Sequence, residues 1–170
     1  MELIGSRIIN ADRATVWEGL NDPDVLKACI PGCSEMIRDE EGDFTAIVTQ
    51  KVGPVKATFK GAVTLTEIVP QESYTITGEG KGGAAGFAKG GARVSLADVE
   101  GGTELSYEVE ARVGGKLAQI GSRLVDGFAK KMADKFFENF QTALEGSDES
   151  DEPEEKKKGW LKRLVSKDKA

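Results

Sequence analysis

Apolar and polar residues alternate along the middle of the chain, which is typical of strands with one face in water. In residues 55–65 the odd positions are apolar or small and the even positions are largely polar, and residues 103–113 repeat that parity. Adjacent strands joined by Gly- and Pro-containing turns make an antiparallel sheet with one buried face. We therefore predict seven strands, at residues 2–10, 34–40, 43–52, 55–69, 73–81, 86–98 and 103–113.

The apolar spacing changes to three or four residues in three segments, which predicts helices. A short helix ends near Leu20 and can be capped by Asn10 or Asp12, and a second covers Asp24 to Ala28. Residues 115–145 carry the longest such pattern and predict one helix of about thirty residues, about 45 Å long. Its apolar stripe consists of Leu117, Ile120, Leu124, Phe128, Met132, Phe136, Phe140 and Leu144.

This order of elements predicts an α+β fold of the helix-grip type. A seven-stranded curved antiparallel sheet would surround a long C-terminal helix, with two short helices after the first strand. Small residues on the apolar sheet face would lie opposite the bulky Phe128, Met132 and Phe136 of the helix. That combination leaves either an apolar cavity or a fully packed core, and the pattern does not decide between them.

Strand parity and helix position select the residues that would line such a cavity. Tyr107 is expected to be the only tyrosine on the inward face, and so the one hydroxyl available to a ligand. The predicted ligand-binding residues are Phe59, Gly61, Val63, Val94, Tyr107 and Val109 from the sheet and Leu124, Phe128 and Met132 from the helix.

Composition removes several kinds of catalysis. The chain has no histidine, which excludes Ser-His-Asp and Cys-His catalysis and His-ligated zinc. Cys29 and Cys33 have a C-x₃-C spacing that matches neither the redox C-x-x-C motif nor a metal knuckle, so we expect two free structural thiols. The paired acids Glu40 and Glu41 fall on a turn and those of residues 104–110 on the wet sheet face, so no acid is evidently placed in an apolar pocket. We therefore predict no catalytic residue and no metal site.

A glycine-rich segment, residues 78–91, matches G-x-G-x-x-G at Gly78, Gly80 and Gly83. A dinucleotide site requires a helix after this loop, whereas strands are predicted on both sides, so we reject that function. The segment is either a plain hairpin turn or a flap over a pocket or partner surface. In the second interpretation Lys81, Phe87 and Lys89 would contact an acidic partner.

Charge divides the chain into three parts. Residues 1–145 form an acidic domain, 146–155 a linker with six acids and no base, and 156–170 a tail with seven bases and one acid. An acidic domain argues against nucleic acid as a partner. The tail has a helical apolar stripe beside its bases, which favours contact with an anionic membrane or a partner over a solvated end. The predicted membrane-binding residues are Lys156, Lys157, Lys158, Trp160, Leu161, Lys162, Arg163, Leu164 and Val165.

The chain shows no run of 18 apolar residues and no secretory signal at its start. With free thiols, this predicts a cytoplasmic protein. The basic tail adds the expectation that it lies peripherally on the inner face of the cell membrane.

Four segments carry a resemblance to a known family: 28–36 (ACIPGCSEM), 53–61 (GPVKATFKG), 78–90 (GEGKGGAAGFAKG) and 114–123 (GGKLAQIGSR). Together they resemble the G-subunit family of carbon monoxide dehydrogenase, in the START / polyketide cyclase-like (SRPBCC, Bet v 1-like) superfamily. The resemblance covers about residues 1–145. It implies a helix-grip fold with an apolar cavity.

The resemblance also implies a function. It suggests a non-catalytic accessory protein of a molybdenum hydroxylase, usually carbon monoxide dehydrogenase, that recruits the enzyme to the membrane. It further suggests that the cavity binds a hydrophobic small molecule, a respiratory quinone such as menaquinone or ubiquinone, for electron transfer, with no covalent cofactor. The alternative is a cyclase- or hydratase-type enzyme acting on a lipid-like substrate, which would need an acid or base with a shifted pKa inside the cavity.

Overall fold

The computed structural model describes residues 1–145 and has the predicted helix-grip architecture. One seven-stranded sheet has the order β1-β7-β6-β5-β4-β3-β2, and all neighbouring strands are antiparallel. The strands are β1 (Glu2–Ile9), β2 (Cys33–Arg38), β3 (Phe44–Val52), β4 (Val55–Val69), β5 (Ser73–Lys81), β6 (Phe87–Val99) and β7 (Gly102–Gly114). The helices are α1 (Arg13–Leu20), α2 (Pro23–Cys29), α3 (Lys116–Gln119) and α4 (Ser122–Glu145). The predicted fold class is confirmed.

The sheet has an inner face, which carries α1, α2 and α4, and an outer face in solvent. The parity predicted for residues 55–65 and 103–113 is the observed one: odd-numbered residues point inward and even-numbered residues outward. Asp12, one of the two predicted caps, begins α1 by accepting a hydrogen bond from the Thr15 backbone N–H. The burial of one sheet face thus fixes the register of the strands.

The C-terminal helix is broken, which corrects the prediction of one thirty-residue helix. Gly121 adopts φ +99°, a left-handed conformation that favours glycine and ends α3. After it, α4 runs for 24 residues, or about 36 Å. None of the helices within residues 1–145 has the length and apolar content needed to cross a membrane.

The apolar stripe of the long helix is also different from the predicted one. The buried residues of α4 are Val125, Phe137, Phe140 and Ala143. The predicted stripe advanced by four residues at most steps, and each such step turns about 40° beyond one full turn of the helix. Over the sixteen residues from Leu124 to Phe140 the drift is about 160°. Phe140 is fully buried, and Leu124 is consequently 50% exposed.

The packed core lies at one end of the inner face, beneath the second half of α4. Its fully buried side chains include Ile9, Val16, Leu105 and Phe140. The Tyr107 ring stacks on the Phe137 ring with centroids 5.1 Å apart. At the far side of this core, the Trp17 and Tyr74 rings meet edge to face at 5.3 Å. These contacts fix α1, α2 and the end of α4 against the sheet and leave the other half of the inner face to the candidate site.

Candidate ligand-binding site

Two adjacent rows of small residues cross the inner face under the first half of α4, and we call them the inner floor. The first row joins Ala46, Gly61, Gly80 and Ala88 across β3 to β6, and the second joins Gly78, Gly90 and Ala111 across β5 to β7. With strands about 4.8 Å apart, the rows are about 10–15 Å wide. That width accommodates a one- or two-ring head group lying flat on the sheet.

The space above the inner floor is open around Gly61. A Cβ atom on Gly61 would have as its nearest neighbours the backbone oxygens of Glu79, at 3.7 Å, and Ala46, at 4.0 Å. No atom of α4 comes within that distance. The buried core does not extend over the floor, whose residues are only partly buried. The inner face is therefore packed at one end and unfilled over the floor around Gly61, which we call the open end. Four side chains around that end are nevertheless buried: Val52, Ala85, Leu117 and Val125.

Five of the nine predicted ligand-binding residues lie at this open end. The residues on β4 belong to the inner floor or flank it, and the helix residues come from the first half of α4. The side chains among them are only partly buried. These five are Phe59, Gly61, Val63, Phe128 and Met132.

The structure places the other four elsewhere. Val94 and Tyr107 are opposite each other on β6 and β7 and belong to the packed core. Val109 packs against that core at its border with the inner floor. Leu124 lies at the rim, close to Gly53 of the β3–β4 turn: its Cδ1 is 3.5 Å from where a Cβ on Gly53 would be. The ligand-binding assignment as a whole stays a prediction.

A charged cluster borders the inner face, and the sequence pattern did not predict it. Arg7 points inward from β1, donates a hydrogen bond to Asp134 of α4, and has its guanidinium carbon 5.3 Å from the Phe137 ring centroid. Burial lowers the pKa of Arg7, but hydrogen bonds with Asp134 and Tyr107 outweigh it and hold the pKa above its usual value. The odd position of Arg7, in step with Leu3 and Ile9, was the available signal. The cluster puts a permanent donor beside the tyrosine hydroxyl.

Tyr107 is not the only inward tyrosine, so that prediction was wrong. Tyr74 points inward from β5, directly opposite Val94, and is buried in the packed core. Burial raises the pKa of its hydroxyl well above the usual value. The prediction failed because the polar-rich stretch around Tyr74 hides the parity of β5.

Both cysteines are free thiols, as predicted. Cys29 is fully buried at the end of α2, and its carbonyl accepts a hydrogen bond from the Asn139 side chain. Burial raises the pKa of the Cys29 thiol to about 11. Cys33 is partly exposed, and burial raises its pKa as well. Within residues 1–145 no group of Cys, Asp or Glu side chains is arranged to hold a metal ion.

We expect the two thiols to differ in reactivity. In the native protein iodoacetamide should modify Cys33 and spare Cys29, since Cys29 is inaccessible and has few thiolates near neutral pH. Peptide mass spectrometry after timed labelling measures both rates, and unfolded protein, in which the rates converge, is the control. Equal rates in the native protein would contradict the buried position of Cys29.

None of the shifted pKa values in the described part of the chain marks an acid–base catalyst. Hydrogen bonds from Thr15 lower the pKa of Asp12, which is a surface helix cap. The remaining shifts raise the pKa of Arg7, of the two thiols and of Tyr74. No carboxyl or amine is moved toward neutral pH by these shifts, and the enzyme alternative gains no support from them.

The predicted partner-binding residues come together on the outer face. Lys81 and Phe87 lie directly opposite each other on β5 and β6, and Lys89 follows two residues later. The Phe87 ring rests against the backbone of Gly114 and is 38% exposed. A single 3₁₀ turn, Gly83–Ala85, joins the two strands, so the G-x-G-x-x-G segment has strands on both sides, as predicted. Its binding role stays a prediction.

A broad groove of about 1090 Å³ lies on the outer face, across β1 and β4 to β7. Charged side chains such as Glu108, Glu110, Arg93 and Arg112 form part of its walls. It lies on the opposite side of the sheet from the inner floor, although Gly78, Gly90 and Ala111 line both. Its charges suit polar contacts better than an apolar ligand. The linker, 146–155, and the predicted membrane-binding residues of the tail, 156–170, lie outside the described residues.

The comparisons with known proteins agree with this geometry. The family model for the G subunit of carbon monoxide dehydrogenase (CoxG) matches residues 5–145. The chain belongs to this family. The match includes every element that builds the inner floor and the packed core, so the family predicted from the four sequence segments is confirmed.

Solved structures give the same fold for this CoxG family member. A conserved protein from Geobacillus kaustophilus is 30% identical, with 85% of this chain and 95% of that chain covered and a TM-score of 0.79. An uncharacterised protein from Rhizobium leguminosarum (18% identity, 86% and 95% covered, TM-score 0.66) shows the fold alone. So does a protein from Thermus thermophilus (11% identity, 88% and 100% covered, TM-score 0.67). No curated protein matches the chain.

Proposed function

We propose that the chain is a non-catalytic accessory protein of a molybdenum hydroxylase of the carbon monoxide dehydrogenase type. It binds a respiratory quinone or similar apolar ligand over the inner floor and tethers the enzyme to the membrane through residues 156–170. One observation carries the proposal: an inner face that is packed at one end and leaves unfilled, apolar space over the inner floor around Gly61. Membership of a family named for a component of carbon monoxide dehydrogenase supports the choice of partner.

The residues around the inner floor fit a quinone. Glycine and alanine leave room for a flat ring, and the partly buried aromatic residues nearest to it in the fold are Phe59 of β4 and Phe128 of α4. A quinone carbonyl accepts hydrogen bonds. The Arg7–Tyr107 pair belongs to the packed core and lies four residues along β7 from Ala111 of the inner floor, so it is not assigned to the ring. When bound, a quinone supplies a two-electron acceptor. The protein's own part is to orient the ring and exclude water from it.

The accessory role is supported by what the inner floor offers and by the charge on the tail. Apolar walls bind a ligand without changing it, and acid–base chemistry would require a titratable group placed among them. The tail adds a basic amphipathic pattern at the end of an acidic linker that is long enough to act as a tether. Membrane contact by the tail and ligand binding by the domain would bring a quinone from the bilayer to the hydroxylase.

The test is whether the protein co-purifies with a quinone. We expect native mass spectrometry, after mild detergent extraction from a quinone-producing bacterium, to show a mass excess equal to one menaquinone or ubiquinone. Organic extraction of the same sample should release that quinone in amounts close to one per chain. Ligand-free protein in every preparation, or a phospholipid in place of the quinone, would reject the quinone assignment.

A further inference from the structure

Basic side chains gather at the open end of the molecule, and we call these eight residues the basic end. They come from the last turns and strand ends around the opening, and all are exposed. The segments that contribute them, 50–60, 79–89 and 112–126, hold only two acids, whereas the rest of residues 1–145 holds twenty acids and eight bases. The domain is therefore strongly dipolar. The basic end consists of Lys51, Lys56, Lys60, Lys81, Lys89, Arg112, Lys116 and Arg123.

Six of these cations face each other in like-charge pairs on the outer face. Lys51 is directly opposite Lys56, Lys60 opposite Lys81, and Lys89 opposite Arg112. Like charges directly opposite each other destabilise a sheet.

Within residues 1–145 no ion pair neutralises these six cations. The ion pairs in the described part of the chain use Arg7, Arg13, Arg93 and Lys135, and no carboxylate there lies within 4.0 Å of any of the six. Even Glu79, opposite Lys89, makes no such contact. An anionic partner would relieve the repulsion within these pairs.

Exposed apolar groups accompany the cations on both sides of the opening. Leu124 is 50% exposed and lies beside the β3–β4 turn at Gly53, and Pro54 next to it is exposed. Phe87 is 38% exposed on the outer face. An apolar tip surrounded by cations has the chemistry of a surface that inserts shallowly among lipid headgroups.

We propose that the basic end docks end-on onto an anionic lipid bilayer, with the adjoining end of the inner floor turned toward the lipid. This contact is separate from the C-terminal tail. Lipid is favoured over an acidic protein because the cations surround the tip: six lie on the outer face of the sheet, and Lys116 and Arg123 lie on the helical side. A plane of headgroups can meet both sides at once.

The biological reason for this docking rests on the proposed function, ligand binding over the inner floor. A ligand that is nearly insoluble in water would pass from bilayer to inner floor at the docked end without crossing solvent. The docking itself requires no ligand. Vesicle binding and quinone retention are therefore independent measurements, and either can fail alone.

The experiment uses the full chain with the tail disabled. Trp160→Ala and Leu164→Ala remove its apolar stripe, and Lys156, Lys157 and Lys158 are changed to Gln. Two triple variants of equal net charge are then made in this tail-disabled chain. The tip variant is Lys60→Gln, Lys81→Gln, Lys116→Gln, and the control variant is Lys27→Gln, Arg93→Gln, Lys135→Gln, all at exposed positions.

Cosedimentation is measured with phosphatidylcholine vesicles, with and without phosphatidylserine. We expect the tail-disabled protein to bind the phosphatidylserine vesicles in a salt-sensitive way. The tip variant should bind at least about tenfold more weakly, since each cation near an anionic bilayer contributes a factor of about five. The control variant should change much less. The tip variant should also melt no lower than its parent, because it relieves the Lys60–Lys81 repulsion.

Three results would overturn the proposal. The first is a tail-disabled protein that does not bind phosphatidylserine vesicles at low salt. The second is equal losses in the tip and control variants, which would show an effect of net charge alone. The third is unchanged lipid binding by the tip variant together with weaker retention on polyglutamate resin, which would make the basic end a protein-docking surface.

Discussion

Replacing Gly61 with leucine should abolish quinone retention and leave the fold intact. A Cβ at this position fits, since its nearest neighbours would be backbone oxygens at 3.7 and 4.0 Å. The remaining leucine atoms would extend over the inner floor, toward the first half of α4, and fill the space where we place the ring. We expect the mass excess in native spectra to disappear, while the circular dichroism spectrum stays that of the parent protein.

The matched control is Gly127→Leu. Gly127 lies on the exposed side of α4, and a Cβ there would meet nothing within 4 Å. The same side chain is thus added outside the site, where leucine also favours the helix by about 1 kcal/mol over glycine. Quinone retention should be unchanged in this variant. If Gly61→Leu folds and keeps its quinone, the inner floor is not the binding site.

The strands could be predicted well because a sheet with one buried face gives a signal with a period of two. Each predicted strand begins and ends within about two residues of the observed one, including the fifteen-residue β4. Gly and Pro residues at the chain reversals, such as Gly53–Pro54, were a second signal that marked the ends of the strands. Local pattern and global fold agree here, and the sequence alone was sufficient for the class of fold.

The helical side was harder to predict, for two physical reasons. A stripe with a four-residue step drifts around the helix, so Leu124 and Phe140 could not both face the core. The break at Gly121 depends on a positive φ that the apolar pattern does not report. The same errors affected the predicted ligand-binding residues, because those on the helix were chosen from that stripe.

The charged clusters could not be predicted without the register of the sheet, that is, without knowing which residues of neighbouring strands lie opposite each other. Arg7 was overlooked because a charged residue in an edge strand is usually solvent-exposed, whereas here Asp134 and Tyr107 provide partners on the inner side. The like-charge pairs of the basic end involve residues from 5 to 23 positions apart in the chain. Only the paired strands show that their charges meet.

The tail should account for most of the binding to anionic vesicles, through its apolar stripe. Changing Trp160 and Leu164 to Ala together should weaken binding by far more than tenfold, since burying each such side chain contributes about 2 kcal/mol. A charge-neutral control, Gly159→Ala with Ser166→Ala, keeps the stripe and should bind as the parent does. Cosedimentation with phosphatidylserine-containing vesicles measures both.

Salt separates the two contributions of the tail. Changing Lys156, Lys157 and Lys158 to Gln should weaken binding at low salt and have little effect at high salt, because screening limits the reach of these charges to about 10 Å at 0.1 M. Loss of the apolar stripe should weaken binding at both salt concentrations, since burial of apolar surface is not screened. A full-length protein that stays in the supernatant at low salt would show that the tail is not a membrane anchor. A tail that binds through charge alone would instead lose all affinity at high salt. The protein would then be held only loosely at the bilayer from which the quinone has to reach the inner floor.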